Sequence, residues 1–312
     1  MISITFSYVW HILSTPRITI PIFDMDLQNI RAFLMVAECK SFSRAAEKLY
    51  ITQPAISKRI STLEYSLDCQ LFDRIGKTIQ LTQAGHALIP SYQRIMNEIS
   101  ESERIISTLR AEVSGHLRFG TSHHIGLHRL PPVLRQYTKQ FPEVELDIQF
   151  MDSEQAAALI LKGDIELALI TLPDSVATPF NTIPVWSDPM ECVVAKDHPL
   201  AKYKTVTTKQ LTEYGVLIQS HNTHTRDIVE QALQLGDNVK IIMESNYLET
   251  IKAMIQNGLG WGVLPESMID DSLHKLKIKN TKMQRHLGIL LHASRTLSSP
   301  ADSLVAILKK QN

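Results

Sequence analysis

From Leu27 to Leu63 the apolar positions recur at helical spacing, but in three short runs rather than one. Leu27, Ile30, Phe33, Leu34 and Ala37 mark a first helix. Ala45, Ala46 and Leu49 mark a second, which Ser43 can cap. Ala55, Ile56, Ile60 and Leu63 mark a third, with Thr52 as its cap and Pro54 in a first turn that has spare N–H groups. Gln53, Ser57, Lys58 and Ser61 fall on the outer face of that third helix. Helices this short are marginal alone, so the first must supply a core. Small Ala45 and Ala46 allow a close crossing.

Two short helices, a tight turn and a polar outer face predict a helix-turn-helix. The outer face suits nucleic acid. Gln53 can bond an adenine edge through both amide atoms, Lys58 a guanine edge, and Ser57 a base or a phosphate. "IGKTIQLT" then reads as a wing turning at Gly76, with Arg74 and Lys77 directed to phosphates. Thr82 caps a long helix that carries neither proline nor glycine after Pro90 and is predicted to reach Val113. In it Leu88, Tyr92, Ile95, Ile99, Ser102, Ile106, Leu109 and Val113 step alternately by four and three. Such a seam needs a partner helix, and we expect it to join two copies of the chain. Gly115 is expected to end it.

From Leu117 the pattern changes to apolar strands alternating with helices, which implies parallel sheets covered on both faces. Polar or proline-marked connections near Pro184 and near 279–285 suggest two crossings between two lobes. In open parallel sheets ligands sit beyond the carboxyl ends of strands, at helix N-termini. The stretches "TSHH", "DSEQ", "SHNTHT" and "SNYLE" occupy such positions. They nominate Thr121, Ser122, His124, Thr171, Asn222, Thr223 and Asn246 as cleft residues, and their many donors favour a small anion. Each Ser or Thr alone is more simply read as a helix cap; their convergence gives them weight.

Composition changes this picture little. The 312 residues carry no formal net charge, and 21% charged with 44% hydrophobic residues is ordinary for a folded protein. Residues 26–85 hold eight Lys/Arg against six Asp/Glu, a balance of only +2. Cys39, Cys69 and Cys192 are isolated, which argues against a disulfide framework and fits a reducing cytoplasm. Residues 1–24 are apolar without a signal-peptide pattern, and no segment has the 18 apolar residues of a membrane span. We read 1–24 as an extension or disordered arm before a start at Met25. His124 and His128, four apart, could share a metal with His221 or His224 of the facing lobe, but no carboxylate or cysteine evidently completes the set. A redox switch at Cys192 is disfavoured by its place in a buried strand.

"SFSRAAEKL", "TQPAISKRI", "LE", "LFDR" and "LTQAG", in this order and spacing, resemble the DNA-binding domain of LysR-type transcriptional regulators. Asp68 and Cys69 depart from the family's usual residues there, away from the third helix. "GDIELALI", "HPLA" and "IQNGLGWGVLP" extend the likeness over residues 25–312. The resemblance implies an α+β chain. It has a winged helix-turn-helix at 25–83, a linker and dimerisation helix at 84–114, and an effector domain at 115–312. That domain resembles periplasmic binding proteins, with one lobe from 115–185 and 281–312 and the other from 186–280. The resemblance makes Gln53, Ser57 and Lys58 base readers, with Pro54 in the same turn. Arg44, Thr52, Arg74 and Lys77 would hold the DNA backbone. Leu88, Tyr92, Ile95, Ile99 and Ile106 would pair subunits. Implied partners are double-stranded DNA, a small-molecule effector, one or three further copies and RNA polymerase, with no cofactor and no membrane. An enzyme is the competing class, but GxxxxGK[ST], GxSxG and HExxH are all missing. A periplasmic solute binder would need an export signal.

Overall fold

The computed structural model describes residues 26–75, 78–108, 112–173, 175–236, 239–279 and 281–311. The expectations for residues 1–24, Gly76, Lys77 and Leu109 fall outside these. Two compact units emerge, Met1–Met96 and Asn97–Asn312.

In the first unit α1 (Leu27–Cys39), α2 (Phe42–Lys48) and α3 (Gln53–Leu67) are followed by β1 (Phe72–Ile75) and β2 (Thr78–Leu81), an antiparallel hairpin. Local chemistry sets the ends. Asp26 accepts from the Gln28 N–H at 2.9 Å, and Thr52 accepts from that of Ala55 at 3.4 Å. The second cap is Ser41, whose Oγ accepts from the Arg44 N–H at 3.3 Å; Ser43 lies within the first turn. Lys40 and Asp68 stop α1 and α3 in left-handed conformations, so Asp68, expected to lie away from the third helix, is its C-cap. Phe33 sits at the centre of the core, its ring 5.4 Å from that of Phe72 and 5.7 Å from that of Tyr92. Ala45, Ile56, Ile60 and Leu63 are buried around it, as their spacing predicts.

The long helix α4 (Gln83–Thr108) begins at Thr82, whose hydroxyl accepts from the Gly85 N–H at 3.0 Å. Gly85 is required there, because a Cβ would lie 2.4 Å from the Leu71 carbonyl oxygen. The helix is described as far as Thr108; Glu112 and Val113 lie outside it, so it stops short of the expected Val113, and Gly115 opens a strand rather than closing the helix. Part of the expected seam is also corrected. Tyr92 is 2% exposed and packs into the core of its own domain, with Leu88 and Ile95 half-buried against the same core. Apolar spacing cannot tell a contact with the same chain from one with a second chain.

The second unit starts with β3 (Gly115–Thr121), α5 (His123–His128), α6 (Leu130–Gln140), β4 (Val144–Phe150), α7 (Ala156–Lys162) and β5 (Leu167–Thr171). There follow β6 (Phe180–Ala195), α8 (Thr208–Thr212), β7 (Val216–Ile218), α9 (His224–Leu233), β8 (Ile241–Glu244) and α10 (Leu248–Gln256). The chain closes with β9 (Trp261–Pro265), β10 (Leu273–Lys275), β11 (Met283–His292) and α11 (Ser299–Lys309). The strand order is β4-β3-β5-β11-β6-β9-β7-β8, with β10 paired to β6.

β3 runs parallel to β4 and β5, and β7 runs parallel to β8 and β9. The expectation of purely parallel sheets fails at β6 and β11, which pair antiparallel with each other and with their neighbours. Pro184 and Arg285, expected to lie in connections, belong to these two strands, which run through both lobes. On β6, Val185 belongs to the first lobe's core, with Phe119 and Leu169, while Met190 and Cys192 belong to the second's, with Trp261. On β11 the same change falls between Leu287 and Met283. Val193, between Cys192 and Val194, faces the opposite core with Ile251 and Leu264, the period of two that a strand imposes.

Candidate functional site

Two places on the chain gather the chemistry that the sequence points to. The first is the outer face of α3. Thr52, Gln53, Pro54 and Lys58 are exposed there and Ser57 is half-buried. Gln53 Nε2 lies 3.4 Å from Ser57 Oγ, so the two polar groups act from one patch. Ile56 and Ile60 fix the helix from behind. Arg44 is partly committed, its Nη2 donating to the Cys39 carbonyl at the end of α1. Arg74 lies on β1.

Sequence reasoning missed Glu64. It is 8% exposed, and its Oε1 accepts from the backbone N–H groups of Leu71 (2.7 Å) and Phe72 (3.2 Å). It therefore ties the end of α3 to the start of the wing.

The second place is a cleft of about 50 Å³ between the lobes of the C-terminal unit. Ser122, His124, Ser153, Glu154 and Thr171 line it from one lobe, and Gln219, Thr223, Thr225 and Asn246 from the other. Arg285 reaches it from β11. Of the seven expected residues, five line the cleft. Thr121 is fully buried beneath the cleft, with its hydroxyl directed to the Ser122 carbonyl. Asn222 is exposed on an outer turn, at a positive φ of 63° that suits asparagine.

The five differ in what they can offer. Ser122 precedes α5 but makes no capping hydrogen bond with its side chain. Thr223 is a true cap: its Oγ1 accepts from the Arg226 N–H and donates to the Ser220 carbonyl. Asn246 accepts from the Ser220 N–H and donates to Asp152 Oδ2, at 3.1 and 3.0 Å. The N-terminus of α9, expected to face a ligand, is met by Glu154 of the other lobe, which accepts from the His224 N–H at 3.0 Å. The hydrogen bonds Asn246–Asp152 and His224–Glu154 thus cross between the lobes.

Beneath the cleft lies a charge cluster that sequence reasoning missed. Asp188 is fully buried; its Oδ2 accepts from Arg285 Nε at 2.7 Å and its Oδ1 from Arg129 Nη2 at 3.0 Å. Arg285 and Asp188 are cross-strand partners on β11 and β6. Arg285 also donates to Thr225 Oγ1, yet its Nη2 is buried without a hydrogen-bond partner, as are both amide atoms of Gln219. His124 is 6% exposed and neither ring nitrogen is hydrogen-bonded. Burial, aided by the Arg285 charge, lowers its pKa to about 3, so the ring is neutral. Two guanidiniums against one carboxylate leave the cluster with a net charge of +1.

Metal chemistry must be revised in one respect. His221 and His224 do not complete a set with His124 and His128, but the carboxylate found wanting exists: Glu249 at the start of α10. Redox chemistry gains nothing, because Cys192 is 1% exposed and burial raises its thiol pKa far above the ordinary range.

Residues 27–86 match the bacterial regulatory helix-turn-helix protein, lysR family, and residues 110–312 match the LysR substrate binding domain. A "Probable RuBisCO transcriptional regulator" of Synechocystis is 29% identical over 89% of this chain and 84% of its own. An HTH-type transcriptional regulator from Azotobacter vinelandii is 53% identical over 35% of this chain and 75% of its own. Among solved structures, full-length OxyR from Pseudomonas aeruginosa superposes with a TM-score of 0.69 at 22% identity, covering 92% of this chain and 94% of that one. CbnR complexed with its target DNA gives 0.64 at 17% identity, covering 92% and 100%. These two likenesses concern the fold. The helix-turn-helix, the two-lobed sheet and the match of both domains together make this chain a member of the LysR family of transcriptional regulators.

Proposed function

We propose that this regulator reads DNA with the outer face of α3 and is switched by a small anion held between its lobes. Gln53, Ser57 and Lys58 read bases, while Arg44, Thr52, Arg74 and Lys77 hold phosphates. Two copies pair through the distal half of α4, where Ile106 is 56% exposed. It works in the cytoplasm; among the described residues no helix is long and apolar enough to cross a membrane.

The observation that carries the anion is Arg285 Nη2, buried without a partner at the floor of the cleft, while the Asp152 and Glu154 carboxylates that also line it accept from Asn246 and the His224 N–H. An unpaired buried donor is costly, and a carboxylate or phosphate oxygen satisfies it. Gln219 and the hydroxyl of Ser122 supply further donors. The small volume suits a compact head group, since one water needs roughly 10–15 Å³ of such space.

Calorimetric titration with a panel of carboxylates, phosphate and sulfate tests the reading. A charge-assisted hydrogen bond contributes roughly 1.5–3 kcal/mol, so Ser122→Ala should weaken the bound anion about ten-fold or more. DNA binding without the anion should stay at the wild-type level in gel shifts. An anion response indifferent to Ser122→Ala overturns the assignment, and so does the absence of any response across the panel.

A further inference from the structure

A second site lies beside the cleft and does not depend on the anion reading. We infer that His124 and His128 of one lobe and Glu249 of the other bind a divalent transition metal ion, with Zn²⁺ as the natural occupant, and so clasp the two lobes together. One ligand atom from each of the three residues lies within 4.8 Å of the other two. A tetrahedral Zn²⁺ with bonds of about 2.0–2.1 Å spaces its ligand atoms about 3.4 Å apart, so side-chain adjustments of about an ångström close the site.

Three independent features point to an ion. His124 and His128 stand four apart on α5 with ring centroids 4.9 Å apart, so both imidazoles serve one face. His128 Nε2 and Glu249 Oε1 already meet at 2.8 Å across the lobes. His124 is buried with both ring nitrogens unbonded; the nearest carboxylate oxygen, of Asp188, is 3.6 Å away, beyond a hydrogen bond. An ion uses the first nitrogen. The second then turns toward Asp188, the outer partner that metal-bound histidines usually have. The guanidiniums of Arg129 and Arg285 repel a cation; Asp188, bonded to both, cancels one of the two charges, and the Glu249 carboxylate at the ion itself offsets the other. Two imidazoles and one carboxylate form the set that Zn²⁺ takes with a fourth position left for water, and imidazole equally suits Co²⁺ and Ni²⁺.

His128 and Glu249 do not line the anion cleft, so their variants separate the two readings. Full-length protein stripped with chelator should bind one Zn²⁺ per chain in calorimetry. With Co²⁺ it should show the intense visible bands of a four-coordinate centre. Zn²⁺ should also raise its melting temperature. His128→Ala and Glu249→Gln should each weaken Zn²⁺ about 100-fold or more and abolish the Co²⁺ bands. Both residues are over a third exposed, so the metal-free variants should fold and still bind the anion like wild type. His123→Ala and His221→Ala should bind Zn²⁺ unchanged. Zn²⁺ affinity that survives His128→Ala and Glu249→Gln overturns the inference, as does the weak spectrum of six-coordinate Co²⁺.

Discussion

Asp188→Asn isolates the charge of the buried cluster with little change in shape. In the native protein Asp188 holds Arg285 at 2.7 Å and Arg129 at 3.0 Å. The side chains of Asp188 and Arg285 are 1% and 4% exposed, whereas that of Arg129 is 27% exposed and can be hydrated without its partner. The penalty therefore falls on Arg285, left as an uncompensated charge in the interior. Removing one partner of a buried pair costs about 3–5 kcal/mol. A unit of 216 residues (Asn97–Asn312) loses about 2–4 °C per kcal/mol, so melting should fall by about 6–20 °C.

Urea unfolding of the full chain measures this directly, because Trp186 and Trp261 both lie in this unit. Asp188→Leu with Arg285→Met removes both charges and should recover most of the loss, since well-packed apolar residues replace buried pairs at little or no cost. Millimolar sulfate should also restore part of the stability of Asp188→Asn by supplying the missing negative charge. A single variant within about 1 kcal/mol of wild type refutes the reasoning. A double variant as unstable as the single does the same, because packing rather than charge would then be responsible.

Glu64→Ala should destabilise the N-terminal domain by about 2–3 kcal/mol, since the buried N–H groups of Leu71 and Phe72 lose their acceptor; chemical unfolding followed by DNA affinity checks it. Gln53→Ala and Lys58→Ala should each cost about 1–3 kcal/mol at one base pair and relax sequence choice there; unchanged selectivity in sequencing of bound DNA would remove α3 as the reader. Ile106→Asp should leave the fold of a single chain intact, because the side chain is 56% exposed. It should nonetheless halve the mass seen by light scattering and weaken operator binding, since a charge in the pairing interface is costly.

Where residue and partner lie close along the chain, the sequence was readable. The burial of Ile56, Ile60 and Leu63 follows from their spacing, and Thr52 is identifiable as a cap because its bond spans three residues. Tyr92 shows the limit: its place in a four-three repeat is compatible with a second helix, and only the position of Phe33, 59 residues earlier, decides against it. Ser122, Thr223 and Asn246 were located by the same local grammar. Their availability was not, because Asn246 is used by Asp152 of the other lobe, 94 residues away.

Arg285 and Asp188 were the least legible, and the reason is specific to strands that cross between lobes. Pro184 and the polar run near 279–285 look like linkers because both interrupt an apolar pattern. In the fold they lie on or run into β6 and β11, which pair directly, with an irregularity where Pro184 faces Gly288. A Cβ on Gly288 would lie 2.3 Å from the Ile183 carbonyl oxygen, so the crossing strands approach too closely there for any larger residue. A lone charge in such a strand reads as solvent-facing until the register puts its opposite directly across from it. That register sets Arg285 against Asp188 just where the two hydrophobic cores change over. The Arg285 guanidinium, whose Nη2 has no partner, is therefore placed where the lobes meet, on one of the two strands that run through both.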